Sequence, residues 1–196
     1  MKILYGKFAT LRELTESDAE ITFNWRMSER ARFLSGSPGT IENQKAWINS
    51  RPLNEFNFII LENLSQQPVG MLSLINIDKI NLNAESSRFL IGDEERCKGL
   101  PIAAESMLLL YKFAFEVLNL HRVYGYISAE NLQMIKWQRY MGMKHEGIWR
   151  SHINAGNGSF VDAHLFGINK VEFESIARRK LQSFLKMHQP GSQDGS

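Results

Sequence analysis

The sequence contains one cysteine, Cys97, in 196 residues. A single thiol excludes an intrachain disulfide and a multi-cysteine zinc site. Such a chain suits a reducing compartment, and cytoplasm is the default expectation. Long apolar runs are missing too. No stretch approaches the roughly 18 apolar residues of a membrane-spanning helix. The opening Met1-Lys2-Ile3-Leu4-Tyr5-Gly6-Lys7 lacks the apolar core of a secretory signal. No membrane partner is therefore expected. An excess of one charge is also absent, since 23 Lys and Arg stand against 21 Asp and Glu. Nucleic-acid binders usually show a clustered basic face, so none is expected as a partner. His145, His164 and His188 show no metal-ligand spacing, and no metal is expected.

What remains is ordinary globular composition, 43% hydrophobic and 22% charged. The length fits one domain with a real core. The reading is a single domain over residues 1–188. The polar, turn-rich tail 189–196 is expected to be disordered. Patterning predicts strands near 7–12, 58–61, 69–77 and 87–91, the last three in a meander. A long apolar helix follows from about Leu100 to Asn119, with Leu109, Phe113 and Val117 four apart. Further strands are predicted at 122–127, 146–150 and 160–168. Helices are predicted at 19–26, 41–50, 131–140 and 171–187. Strands and helices mixed in this order mean an α/β sheet.

One segment has the physics of an anion cradle. Glu95-Arg96-Cys97-Lys98-Gly99-Leu100-Pro101 leaves a strand and enters the long helix. The first N–H groups of a helix lack internal partners and suit a pyrophosphate, helped by the helix dipole. Glycine permits close backbone approach, and proline fits a first helical turn. Alone, this could equally be a charged loop capping a helix.

The surrounding motifs add to it. Arg96-Cys97-Lys98-Gly99-Leu100-Pro101 resembles the Arg/Gln-x-x-Gly-x-Gly/Ala hallmark of the GCN5-related N-acetyltransferase (GNAT) superfamily. Leu11–Ala19 resembles that family's first strand and helix start, and Leu120–Tyr124 its fifth strand. Asn131 with Tyr140-Met141-Gly142-Met143 resembles its Asn…Gly-Phe helix. Glu146–Arg150 with Gly158–Ala163 resembles the closing hairpin of one branch. That branch holds ribosomal-protein N-terminal and nucleotide-linked amino-sugar acetyltransferases. The resemblance covers about residues 7–170. It implies a mixed, mostly antiparallel sheet of about seven strands with flanking helices. It implies acetyl-CoA as donor and an amine as acceptor.

The resemblance also assigns candidate residues. Arg96, Cys97, Lys98, Gly99, Leu100, Pro101 and Ile102 would hold the CoA pyrophosphate. Leu90 and Ile91 lie where the strand before the cradle should splay from the next, and a backbone N–H there would face the thioester oxygen. Asn131 would bond the pantetheine arm, or cap its helix, or both. The chain departs from the family twice. Pro101 replaces the second glycine or alanine. Gln138 stands where a tyrosine usually protonates the leaving thiolate, with Met134 in place of a serine. Tyr140 lies two residues on and is the candidate acid or a core residue. Glu85 and His152 are candidate bases, each with a surface alternative. The bases beside Cys97 suggest a lowered thiol pKa. No base partner is evident for acyl transfer through it.

Trp25 and Arg26 are candidate substrate contacts, the indole for a sugar or base face and the guanidinium for a carboxylate or phosphate. Equally, Trp25 could be an apolar helix residue and Arg26 a surface charge. The first-ranked acceptor is the amine of a nucleotide-linked amino sugar. Protein N-terminal amines rank second, and antibiotic or polyamine amines third. A CoA-binding regulatory protein is the non-enzymatic alternative. The superfamily often forms dimers, so a homodimer is a possible assembly.

Overall fold

Residues 56–91 are apolar on both faces of their strands, as a sheet covered on both sides requires. Phe58 and Ile60 point into a larger cluster, while Ile59 and Leu61 point into a smaller one. A computed structural model describes residues 2–188, with 35, 37 and 157 excepted. Eight strands form one sheet: β1 (Ile3–Tyr5), β2 (Ala9–Glu13), β3 (Phe56–Glu62), β4 (Pro68–Asp78), β5 (Asn83–Ile91), β6 (Arg122–Ser128), β7 (Lys144–Gly156) and β8 (Ser159–Asn169). Their order is β1-β2-β3-β4-β5-β6-β8-β7. Neighbours are antiparallel except β5 and β6, which run parallel.

Helices α1 (Ala19–Met27) and α2 (Ile41–Asn49) cover the smaller cluster, built on Trp25, Ile48, Ile59, Met71 and Leu90. The short turn α3 (Glu94–Cys97) leads into α4 (Ile102–Lys112), which lies on the larger cluster and is buried on nearly every side. A π-helical turn, Phe113–Val117, ends it. Helix α5 (Leu132–Tyr140) follows β6. The turn α6 (Lys170–Glu172), a second π segment (Phe173–Ala177) and α7 (Arg178–Met187) close the larger cluster.

Glu105 ties α4 to the sheet. Its buried carboxylate accepts the backbone N–H groups of Lys7, Phe8 and Ala9 at 2.6–2.8 Å. Two of those amides sit in the β1–β2 connection and the third on the first residue of β2, where they would otherwise lack partners beside a helix.

The expected mixed, mostly antiparallel sheet is present, with eight strands rather than seven. The extra one is β1, too short to carry a periodic signal. The long helix starts at Ile102 instead of Leu100, because Pro101 occupies its cap. The strand expected at 146–150 is longer, running as β7 from Lys144 to Gly156 and pairing with β8 as far as Gly156–Ser159. The tail 189–196 lies outside the described residues.

Candidate active site

Strands β5 and β6 pair only over Asn83–Glu85 and Arg122–Tyr124. Beyond that point β5 runs on to Ile91 and β6 to Ser128 without pairing to each other. The two strands therefore form a fork whose inner edges carry backbone groups with no strand partner. A β-bulge shapes one prong. Met71 pairs with Leu90 and Ser73 with Ser87, so Leu72 stands opposite both Arg88 and Phe89. Arg88 takes a φ of +54°, and the face of the strand switches there. Ala84 and Phe89 consequently face the same cluster although one number is even and the other odd.

The far end of β5 turns into the cradle. Asp93 caps α3, accepting from the Arg96 amide at 3.0 Å and from its guanidinium at 3.2 Å. Gly99 has a φ of +74°, and apart from its chain neighbours nothing lies within 4 Å of where a Cβ would stand. The first bond inside α4 runs from the Glu105 N–H to the Pro101 carbonyl. The N–H groups of Ile102, Ala103 and Ala104 precede it and open the helix. Side-chain charge is not what makes this a cradle: residues 93–98 hold three acids against two bases. The backbone amides and the open space over Gly99 are what fit a pyrophosphate.

Cys97 corrects the sequence expectation. Its flanking bases do not lower its pKa. Burial, with the negative charges of Asp93, Glu62 and Glu94, pushes the thiol up to about 11. It is a packing residue at the cradle's base, half-buried against the larger cluster.

Glu85 sits at the root of the fork, in register with Tyr124 of β6. It is 9% exposed. Burial pushes its carboxyl above the usual range, against hydrogen bonds from Asn76 and Ser87 and the charge of Arg88. The Asn76 amide donates to it at 3.0 Å. Tyr124 and Tyr126 project on the same face. Burial, reinforced by the Glu85 charge, raises both phenol pKa values. Tyr126 in turn meets Trp149 at 5.6 Å and His152 edge-on at 5.3 Å, and these last two stand 4.5 Å apart. The structure thus gathers Glu85, Tyr126, Trp149 and His152 along one side of the sheet. The aromatic members, apart from His152, were not anticipated. The alternation Tyr124-Gly125-Tyr126 was the available signal, since it puts two phenols on one strand face.

Tyr140 also requires correction. Its ring stacks on Trp137 at 6.1 Å and meets Phe184 of α7 edge-on at 5.8 Å, with the Lys180 ammonium 4.2 Å from its centre. It faces α7 rather than the fork, because two helical residues span more than half a turn from Gln138. Gln138 itself is buried. Asn131 is the cap of α5, accepting from the Met134 amide at 3.1 Å. Leu90 turns its side chain into the smaller cluster, and the Ile91 carbonyl accepts from Arg30 at 3.0 Å.

Trp25 is buried in the smaller cluster. Its ring lies so close to Gly92 that a Cβ there would come within 2.3 Å of it. That removes it as an open wall for a sugar or base. Arg26 is half-buried, bonds the Gly36 carbonyl, and is held below its ordinary pKa by burial and by the nearby Arg88 charge.

Residues 9–144 match the family described as Acetyltransferase (GNAT) domain. A curated relative, "Probable N-acetyltransferase YjcK" of Bacillus subtilis (strain 168), is 25% identical over 177 residues, covering 85% of this chain and 96% of the relative. The spermidine N(1)-acetyltransferase of Vibrio cholerae serotype O1 is 28% identical over 88 residues, or 45% of this chain and 49% of that one. A solved GCN5-related N-acetyltransferase from Brucella melitensis superposes with a TM-score of 0.81 at 22% identity, covering all of this chain and 88% of its own. A chimera of the Vibrio cholerae spermidine N-acetyltransferase SpeG with hSSAT superposes at 0.76 with 21% identity, covering 86% of this chain and 99% of its own. At these identities the solved structures establish the fold alone.

Proposed function

The chain belongs to the GNAT acetyltransferase family and is an acetyl-transferring enzyme; from that premise we propose that its acceptor is a small primary amine that arrives as an ammonium ion and is deprotonated by Glu85. Acetyl-CoA, when bound, supplies the electrophilic thioester carbonyl. The cradle residues Arg96–Ile102 would hold its pyrophosphate on backbone amides, and the fork would receive the arm that follows. Ile91, on the prong past the bulge, would turn its backbone N–H toward the fork and the carbonyl oxygen as it gains charge, whereas the Leu90 N–H points to Met71 of β4.

The observation that carries the acceptor reading is the juxtaposition of Glu85 with Tyr126, Trp149 and His152. A carboxylate beside aromatic faces attracts a cation. A carboxyl whose pKa is raised by burial is a stronger base than an exposed one, and so a better acceptor for an ammonium proton. His152, exposed at the outer end of the aromatic group, is placed to pass that proton to solvent. The curated spermidine acetyltransferase relative favours a cationic amine as well. The nucleotide-linked amino sugar loses its main support with the burial of Trp25. With Tyr140 turned to α7, no phenol is assigned to the leaving thiolate. A thiol is only moderately basic, with a pKa of about 8.5, and can depart unprotonated.

The test is turnover of acetyl-CoA against polyamines, aryl-alkyl amines, nucleotide-linked amino sugars and N-terminal peptides, with products identified by mass spectrometry. Acetylation of the small cationic amines is expected. Exclusive acetylation of a peptide or a nucleotide sugar would sink the acceptor assignment. No turnover with any amine would sink the reading as a whole.

A further inference from the structure

Strand β7 breaks its pairing with β8 at one place. Trp149 is in register with Ala163 and Ile153 with Val161, so Arg150, Ser151 and His152 stand opposite Asp162 alone. The bulge carries a shallow, open cavity of about 690 Å³, lined by Ile148, Trp149, Arg150, Ser151 and His152. Ser151 takes a φ of +49°, a left-handed conformation that strains a residue with a Cβ. The Asp162 carboxylate holds it there, accepting from the Ser151 amide at 2.8 Å. Strained residues that their neighbours hold in place cluster at ligand sites.

This cavity adjoins the aromatic group beside Glu85, because Trp149 and His152 belong to both. What it adds is a charge. Histidines aside, the hairpin of β7 and β8 carries Lys144, Glu146, Arg150 and Asp162. Lys144 pairs with Glu172, and Glu146 with Arg122. Asp162 is committed to the bulge. Among the described residues, Arg150 alone of the four has neither an ion pair nor a hydrogen bond from its side chain. It is exposed, in the wall of the cavity. A guanidinium is planar and presents paired N–H donors that match the two oxygens of a carboxylate or phosphate. A cavity with aromatic walls at one side and an uncommitted guanidinium at the other suits a molecule that is flat in the middle and anionic at its end.

We propose that Arg150 sets acceptor specificity by pairing with an anionic group, a carboxylate or a phosphate, at the end of the acceptor remote from its amine. The ammonium meets Glu85, the middle of the molecule lies along Tyr126, Trp149 and His152, and the anion enters the cavity at the bulge. The chemical class is an aryl-alkyl amine with an acidic substituent on its ring. The assignment rests on the small-amine reading above and adds the far end of the acceptor to it.

The test is steady-state kinetics with three related acceptors: para-(aminoethyl)benzoic acid, tyramine O-phosphate and the uncharged para-(aminoethyl)benzamide. In the unmodified enzyme KM is expected to be about three- to tenfold lower for one of the acids than for the amide, the range between an exposed ion pair and a bidentate one. The acid that gains identifies the anion as carboxylate or phosphate. Arg150→Gln should raise KM for that acid to the level of the amide, and Arg150→Lys should keep part of the difference. No preference for either acid in the unmodified enzyme would overturn the contact, whether or not the variants fold. So would a preference that survives Arg150→Gln, or an equal rise in KM for acid and amide. Acetylation of polyamines with none of the three turned over would overturn this assignment alone. No turnover of any amine would overturn the reading on which it rests.

Discussion

Glu85 carries opposite consequences for stability and for activity. Its carboxyl pKa is raised in the folded chain, chiefly by burial. The folded state therefore holds that proton more tightly than the unfolded one. The associated stability is fully present below the unfolded pKa, about 4.3, and is lost as pH rises through the folded value. At neutral pH the buried charge is a net cost. Replacing it with an uncharged isostere, Glu85→Gln, is expected to raise the melting temperature by about 2–4 °C for each kcal/mol relieved. The same change should lower kcat about 10²–10⁴-fold, the usual range for loss of a general base. In the unmodified enzyme the rate should fall as pH drops through the raised pKa, because the protonated carboxyl cannot accept the ammonium proton. A thermal melt and a pH–rate profile together check this. A variant with full activity would remove Glu85 from the chemistry.

At the scale of single elements, the cradle and the helix behind it depend on two residues in different ways. Gly99 adopts a left-handed conformation with open space above it. A methyl group there costs about 1–2 kcal/mol of backbone strain. It would also stand where the pyrophosphate is expected. Gly99→Ala should therefore raise the KM for acetyl-CoA at least tenfold with little change in the KM for the amine, measured by steady-state kinetics. Glu105 works at a distance from the ligand. Removing its carboxylate in Glu105→Ala strands three backbone amides, those of Lys7, Phe8 and Ala9, where the chain enters β2. The expected loss is about 3–5 kcal/mol, because hydrogen bonds to a charged group are worth about 1.5–3 kcal/mol each and are not additive. Urea denaturation measures it; a loss under 1 kcal/mol would show that water replaces the clamp.

For the whole molecule, a ligand that bridges β5, α4 and α5 should stabilise the fold by mass action. CoA at a hundredfold excess over its Kd is expected to add about 2.7 kcal/mol to the unfolding free energy. For a chain of this length that is a rise of about 5–10 °C in melting temperature. The absence of any shift would argue against the fork and cradle as a CoA site.

The sequence alone determined the class of fold and the location of the cradle. Both are written locally: strand and helix periodicities, and a glycine followed by a proline at a helix start. It also marked Glu85 and His152 by residue type. It could not reveal the bulge at Arg88, which exchanges the faces of β5 and sends Phe89 to one cluster and Leu90 to the other. Trp25 and Tyr140 looked as suited to a site as to a core, because an aromatic ring serves either purpose. Only packing against Gly92 and against Phe184 made them core. Tyr126 and Trp149 came together only when β6 and β7 paired on either side of β8. Periodicity is a property of neighbours along the chain, whereas a site is a property of neighbours in space, and the parallel register of Glu85 with Tyr124 is what sets that carboxylate beside this aromatic group.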